Sequence, residues 1–359
     1  MRRKIMRCAW LGVLAVFMLF SGGCSQRETP VPESPVTANM AASGSLRAMG
    51  CPTDRTPLTQ DDPAAFQPTA SGRPESALFG SVRTKQRGRA LVPSFHEGID
   101  IAPLHTDARG RPQDSIYAVA AGAVAYVNRV AGNSTYGKYV VLVHESSVGR
   151  LYTLYAHLSR VAPGIKTGRQ VQAGEVLGIM GNTALSPFPL ARAHLHFEIG
   201  LIINAHFNRW YHTQKLKPDH GIYHGWNLLG INPLEVLRRQ RDNPAFTFAT
   251  HLETIPRAFE VVFIARRLPD YFRRYPKLWA GPVFGGRAIV MAVSENGVPL
   301  RGWNATEADA RELGKKKWQV RNVNTEALGR NGCRLIVCRK GQWNLASNGK
   351  KWLKILTYP

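Results

Sequence analysis

Two short groups of histidine and carboxylate side chains are the part of this sequence best suited to chemistry. His96 and Asp100 lie four residues apart, and His194, His196 and Glu198 alternate with apolar residues. In a β-strand this alternation places the second group on one face, so its two imidazoles lie side by side. Imidazole nitrogen and carboxylate oxygen both bind zinc, and a catalytic zinc site has three protein ligands with one position left for water. A cage of two histidines and one aspartate would leave positive charge on the metal, which activates water.

The surrounding elements are predicted to be mostly β-strands. Residues 70–237 contain short β-rich runs separated by glycines, which is typical of an all-β sandwich or barrel-like core. The segment LEVLRRQRD (234–242) predicts a helix that closes this region. Beyond it we expect a smaller α+β region, with a strand at FEVVFIAR (259–266), a helix at ATEADARELGKKK (305–317), and two strands at CRLIVC (333–338) and KWLKILTY (351–358).

Five blocks in a fixed order resemble the lysostaphin-type zinc metallopeptidases, the family that includes LytM-like peptidoglycan endopeptidases. These blocks are residues 78–83 (LFGSVR), 96–100 (HEGID), 155–159 (YAHLS), 171–178 (VQAGEVLG) and 194–198 (HLHFE). The resemblance implies a duplicated hybrid motif fold of barrel-sandwich type, in which antiparallel sheets form an open groove. It also implies hydrolysis of peptide bonds in bacterial peptidoglycan, although the bond that is cut cannot be read from these blocks.

The same resemblance assigns roles residue by residue. It makes His96, Asp100 and His196 the ligands of one zinc ion per chain, and it makes His157 and His194 the catalytic histidines. One histidine would take a proton from the attacking water, and the other would stabilise the oxyanion or protonate the leaving amine. For Glu198 two interpretations remain: a partner that orients a ligand ring, or a solvated strand carboxylate.

Two segments depart from the family pattern. Residues 182–193, which precede His194 and His196, form a longer segment than is usual in the family and lack the Gly-Pro that commonly stands there. The family's substrate preference therefore applies to this chain less safely than its zinc binding. Residues 200–230 form an aromatic insertion, whose rings either stack on sugars or cover the sheet. The alternative to an enzyme is a non-catalytic member of the family, which binds the cell wall or activates an amidase. The presence of all three ligands and both histidines favours the enzyme.

The charge of the chain indicates an anionic partner. The 359 residues carry a formal net charge of +23, and residues 241–359 hold about half of that excess, with 21 lysines and arginines against nine aspartates and glutamates. This C-terminal region also contains four tryptophans, Trp303, Trp318, Trp343 and Trp352, which would serve either wall adhesion or a small core. We expect no nucleic-acid partner, because the chain begins with a segment typical of exported proteins and shows no nucleic-acid-binding motif.

The N-terminal segment resembles an export signal. Four cations within the first seven residues precede an apolar run at residues 8–20, which has the length of a signal-peptide core. Ser21-Gly22-Gly23-Cys24 resembles a lipobox with Ser21 in place of the usual leucine, so we expect either lipidation of Cys24 or ordinary cleavage or an uncleaved anchor. A lipid anchor followed by Ser25 favours the outer membrane of a Gram-negative envelope. The expected organisation is a signal at 1–24, a flexible linker at 25–65, the catalytic domain at 66–240 and a basic region at 241–359.

Overall fold

Antiparallel β-sheets dominate the computed structural model, which describes residues 46, 48–87, 90–217 and 220–359. The strands are β1 (Val82–Arg87), β2 (Ala90–Phe95), β3 (Ile99–Ile101), β4 (Ser115–Tyr117), β5 (Gly122–Asn128), β6 (Lys138–Ser146), β7 (Gly149–Leu158), β8 (Arg160–Val161), β9 (Gln170–Val171), β10 (Val176–Ile179), β11 (Leu195–Ile202), β12 (Leu228–Ile231), β13 (Phe259–Ile264), β14 (Trp279–Ala280), β15 (Ala288–Val293), β16 (Pro299–Asn304), β17 (Trp318–Arg321), β18 (Ile336–Arg339) and β19 (Gln342–Leu345). The helices are α1 (Phe207–Thr213), α2 (Pro233–Asp242), α3 (Phe248–Thr254), α4 (Asp270–Arg274), α5 (Glu307–Leu313), α6 (Thr325–Leu328) and α7 (Ser347–Leu356).

The largest sheet runs in the order β12-β11-β7-β6-β5-β9, with the short strand β3 paired to β11. All eight residues of β11 are buried, which is why its sequence is apolar apart from its functional side chains. Strands β6 and β7 form a hairpin whose second strand begins at Gly149. This residue has φ of +127°, and a Cβ there would come within 2.4 Å of the carbonyl oxygen of Arg274, so only glycine fits the turn. The predicted antiparallel fold class is confirmed.

The register of this sheet positions the functional residues. On β11, His196 lies opposite Asp100 of β3 on one side and opposite Ala156 of β7 on the other. His157 follows Ala156 directly. Residues distant in sequence therefore meet at one end of three neighbouring strands.

The C-terminal region packs on this sheet without a break in the hydrophobic core. It contains a second sheet, in the order β14-β16-β15-β13-β17, and a separate hairpin of β18 and β19. The hydroxyl of Tyr275 accepts a hydrogen bond from the N–H of Ile202 at 3.0 Å and donates one to the carbonyl of Arg150 at 3.1 Å. One buried cluster extends from Leu58 to Leu356, so the two regions share a single core.

Two expectations about local structure are wrong. The described part of the expected flexible linker, up to residue 65, is packed: Leu58 and Ala65 are buried, and the N–H of Gly50 donates to the carbonyl of Val119 at 2.7 Å. These apolar side chains complete the core, which a freely moving tether cannot do. The segment KWLKILTY lies in helix α7 and its C-terminus instead of forming a strand, because its apolar residues bury on one helical face.

The expected signal at 1–24 and lipid attachment at Cys24 lie outside the described residues. Among the helices that the structure does describe, none has the length and apolar character needed to cross a membrane.

Candidate active site

His96, Asp100 and His196 converge on one point, and all three are buried. His96 Nε2 lies 3.1 Å from Asp100 Oδ1 and 3.1 Å from His196 Nδ1, and His196 Nδ1 lies 2.9 Å from Asp100 Oδ1. Tetrahedral zinc with donors at about 2.0–2.2 Å would hold its ligand atoms roughly 3.3 Å apart. The donor types and the spacing of this trio therefore both fit zinc.

Hydrogen bonds hold each imidazole of the trio in the orientation that such a site needs. His96 Nδ1 lies 2.9 Å from the carbonyl oxygen of Leu78, so this nitrogen carries the proton and Nε2 is left as the donor to a metal. On the other ring, His196 Nε2 donates a hydrogen bond to Glu198 Oε1 at 2.8 Å, which leaves Nδ1 as the atom that faces a metal. Glu198 is thus buried and bonded to a ligand ring, and the solvated alternative is excluded.

The Glu198 carboxylate is itself tightly held. Tyr136 and Tyr152 each donate a hydroxyl hydrogen bond to it at 2.8 Å. Burial would raise the pKa of Glu198, but the hydrogen bonds from His196 and the two tyrosines outweigh burial and lower it. The carboxylate is therefore ionised and increases the basicity of the His196 ring.

Arg83 is a further member of the site that the motifs did not identify as functional. Its Nη2 donates to Asp100 Oδ2 at 2.5 Å and lies 3.0 Å from His96 Nδ1. Burial alone would raise the pKa of Asp100, but the surrounding imidazoles of His96 and His194 and the guanidinium of Arg83 hold that pKa well below its usual range. The only sequence signal for Arg83 was its place in the block at 78–83.

His157 and His194 lie beside the trio, with ring centroids 4.8 Å apart. The Nδ1 atoms lie 2.7 Å from backbone carbonyls, of Thr183 for His157 and of Arg192 for His194. These contacts place the protons on Nδ1 and leave each Nε2 able to accept a proton. His194 Nε2 lies 3.5 Å from Asp100 Oδ1, which brings it close to the convergence point of the ligand atoms.

Burial keeps both of these histidines neutral. It lowers the pKa of His194, and it lowers that of His157 well below its usual range, with the neighbouring His194 and His196 adding to the effect. His157 also has φ of +63°, a left-handed backbone conformation that is costly for a non-glycine residue in a strand. The strain is retained because the backbone N–H of His157 bonds to Tyr136 and the ring bonds to Thr183.

Phe188, from the atypical segment 182–193, covers the two histidines. Its ring stacks on His194 with centroids 4.8 Å apart and an interplanar angle of 18°, and it meets His157 edge-on at 5.0 Å. The Nδ2 group of Asn182 anchors the segment by donating to the carbonyl of Phe188 at 2.7 Å. The departure from the family pattern thus lies directly against the candidate catalytic groups.

The aromatic insertion at 200–230 covers the sheet with part of its rings. Trp210 and Tyr211 are buried and cover the sheet, whereas Trp226 remains 38% exposed. Of the four C-terminal tryptophans, Trp352 is a core residue and the other three are partly exposed.

Comparison with known proteins gives three results. The family model described as Peptidase family M23 matches residues 94–208. A segment of 104 residues, 29% of this chain, is 38% identical to an uncharacterized metalloprotease of Haemophilus influenzae, and it spans 18% of that protein. This chain therefore covers less than a fifth of that relative.

Among solved structures, a zinc containing peptidase from Vibrio cholerae is 25% identical over 38% of this chain and 35% of its own, with a TM-score of 0.25. The catalytic domain of the antimicrobial peptidase lysostaphin from Staphylococcus simulans is 24% identical over 34% of this chain and 76% of its own, also with a TM-score of 0.25.

Proposed function

We propose that this chain, whose residues 94–208 belong to peptidase family M23, is an exported zinc-dependent endopeptidase that hydrolyses peptide bonds in bacterial peptidoglycan. The observation that carries the proposal is the mutual spacing of His96, Asp100 and His196, 2.9–3.1 Å between donor atoms, with two neutral histidines beside them. Peptidoglycan is proposed as the substrate because of the five family-like sequence blocks, the export signal expected at 1–24 and the charge of +23.

In this proposal His96 Nε2, Asp100 Oδ1 and His196 Nδ1 hold the zinc ion. Zinc in such a site supplies Lewis-acid chemistry, which activates water and polarises the scissile carbonyl. Arg83 and Glu198 keep Asp100 and His196 in place through these hydrogen bonds. These two residues therefore act by positioning the ligands.

His157 and His194 are the proposed proton carriers. Each presents an unprotonated Nε2, so either can accept the proton of the attacking water and return a proton to the leaving amine. The hydrogen bonds from Nδ1 to the carbonyls of Thr183 and Arg192 orient the rings, and they stabilise an imidazolium once it forms. Phe188 shields both rings from water on one side.

The test is hydrolysis of purified sacculi by the mature protein, with bound metal measured in the same samples. Wild type is expected to contain about one zinc per chain and to release soluble muropeptides, whose mass spectra identify the bond cut. His96→Ala should lose both zinc and activity, and His157→Ala should keep zinc and lose activity. His105→Ala, at an exposed histidine away from the site, is the matched control. A metal-free protein that releases nothing would support the wall-binding or amidase-activating alternative.

We also propose that Cys24 carries a lipid that anchors the protein to a membrane of the cell envelope. Metabolic labelling with a fatty acid is expected to mark wild type, and the label should disappear in Cys24→Ala. Labelling of both proteins, or of neither, would contradict the anchor.

A further inference from the structure

A large cleft lies between the catalytic region and the C-terminal hairpin, on the other side of residues 95–97 from the zinc ligands. Its volume is about 1160 Å³, larger than the roughly 300–1,000 Å³ of ordinary small-molecule pockets. Phe95 and Glu97 line its floor, whereas the ring of the intervening His96 points to Asp100. Strand β12, the hairpin of β18 and β19, and one side of helix α7 form its walls. The space can hold an oligomer of several units.

The charge of the cleft is strongly positive. Its described lining contains one carboxylate, Glu97, and four cations: Arg334, Arg339, Lys350 and Lys351. Arg334, Arg339 and Lys350 have exposed side chains, and none of the three forms an ion pair with a described residue. The side chain of Glu97 is occupied by hydrogen bonds from Asn296 Nδ2 at 2.8 Å and the N–H of Gly230 at 3.1 Å. The cationic charge is thus directed at the cleft and fits an anionic ligand.

Aromatic and amide groups accompany the cations. Of the three tryptophans that line the cleft, Trp352 is buried and the other two are partly exposed. Lys351 Nζ lies 3.5 Å from the ring centroid of Trp226, and Lys350 Nζ lies 5.8 Å from that of Trp318. Flat indoles offer apolar faces and edges to the C–H faces of sugar rings. The Oδ1 atom of Asn331, which also lines the cleft, is buried and has no hydrogen-bond partner among the described residues. It can accept a hydrogen bond only from a ligand group that reaches into the wall of the cleft.

We propose that this cleft binds an acidic glycan, a chain of sugar rings that carries carboxylates, away from the bond that is cut. The combination of cations, indoles and an unsatisfied amide suits alternating sugar rings and carboxylates better than it suits a folded protein partner. The inference deepens the proposed function and rests on it, since peptidoglycan is a glycan with carboxylate-bearing peptides. The C-terminal region would then hold the polymer while the catalytic region cuts its peptides.

The test measures binding of purified, uncut glycan fragments that carry acidic stem peptides, by titration calorimetry, to the mature chain with His157→Ala to prevent hydrolysis. Lys350→Glu and Arg339→Glu are each expected to weaken binding about tenfold, because a like charge replaces an attractive one. Lys354→Glu on the same helix and Lys340→Glu on the same hairpin are exposed and do not line the cleft, so they are expected to change the affinity less than twofold.

Equal binding by the cleft variants and their controls would overturn the proposal. So would binding of a phosphate-bearing wall polymer or of single-stranded DNA with the same affinity and the same dependence on Lys350 and Arg339. The outcome is separable from that of the proposed function. Muropeptide release by wild type without cleft-dependent binding refutes the cleft alone, and cleft-dependent binding without release refutes the peptidase alone.

Discussion

Replacing Glu198 by glutamine tests whether a buried carboxylate behind a ligand controls the metal site. Glu198→Gln keeps the shape of the side chain but removes the charge that accepts three hydrogen bonds of 2.8 Å, from His196, Tyr136 and Tyr152. A charge-assisted hydrogen bond is roughly twice as strong as a neutral one, so His196 loses about 1.4–2.8 kcal/mol of support as a ligand. This corresponds to a zinc affinity about 10- to 100-fold weaker than that of wild type.

The assay is competition for zinc with a chromophoric chelator at neutral pH, with thermal melting of the metal-free proteins to show that each is folded. Tyr152→Phe is the control, because it removes one hydrogen bond and leaves both the carboxylate and its bond to His196. Its affinity is expected to remain within about threefold of wild type. A folded Glu198→Gln variant that binds zinc within twofold of wild type would refute the reasoning.

Three more predictions concern catalysis, the link between the two regions, and pH. His157→Ala should retain zinc and lower the turnover number for muropeptide release by about 10²–10⁴, since it removes a proton carrier without touching a ligand; a loss under threefold would contradict that role. Asn296→Ala should lower the free energy of unfolding, measured with urea, by about 1–3 kcal/mol, because the buried acceptors on Glu97 and Gly230 lose a donor; an unchanged midpoint would contradict it. Burial lowers the pKa of His144 to about 4, below its unfolded value near 6.5. Between pH 6.5 and 4 this histidine is therefore protonated in the unfolded state and neutral in the folded state. His144 should therefore contribute a loss of stability of up to about 3 kcal/mol over that window, and His144→Gln should make the slope shallower by this share; equal slopes would refute the assignment.

Local sequence patterns were sufficient wherever one strand or one short loop sets the geometry. The alternation of His194, His196 and Glu198 placed these groups together because successive side chains of a strand point to opposite faces. The helix at 307–313 was likewise predictable from its own residues, with Thr306 and Asp309 forming a capping box at its N-terminus.

Local patterns failed where burial overrides intrinsic preference. The segment KWLKILTY has residues that favour strands, yet it lies in α7 because Trp352, Leu353, Ile355 and Leu356 then enter the common core together. The residues before 66 lack a hydrophobic period and were expected to be flexible. A few apolar side chains such as Leu58 nevertheless fill gaps in that core, and periodicity carries no information about such gaps.

The residue types that could bind a metal, and the ones that share a strand face, were readable from the sequence, since both follow from chemistry and from the two-residue repeat of a strand. The contacts of Arg83 with Asp100, of Tyr152 with Glu198 and of Phe188 with His194 required the folded chain. These contacts depend on the register of β3 and β7 against β11 and on the path of the loop before β11. The cationic cleft depends in the same way on how the hairpin of β18 and β19 packs against β12. No local rule relates these segments, because their contacts are set by the packing of the whole core.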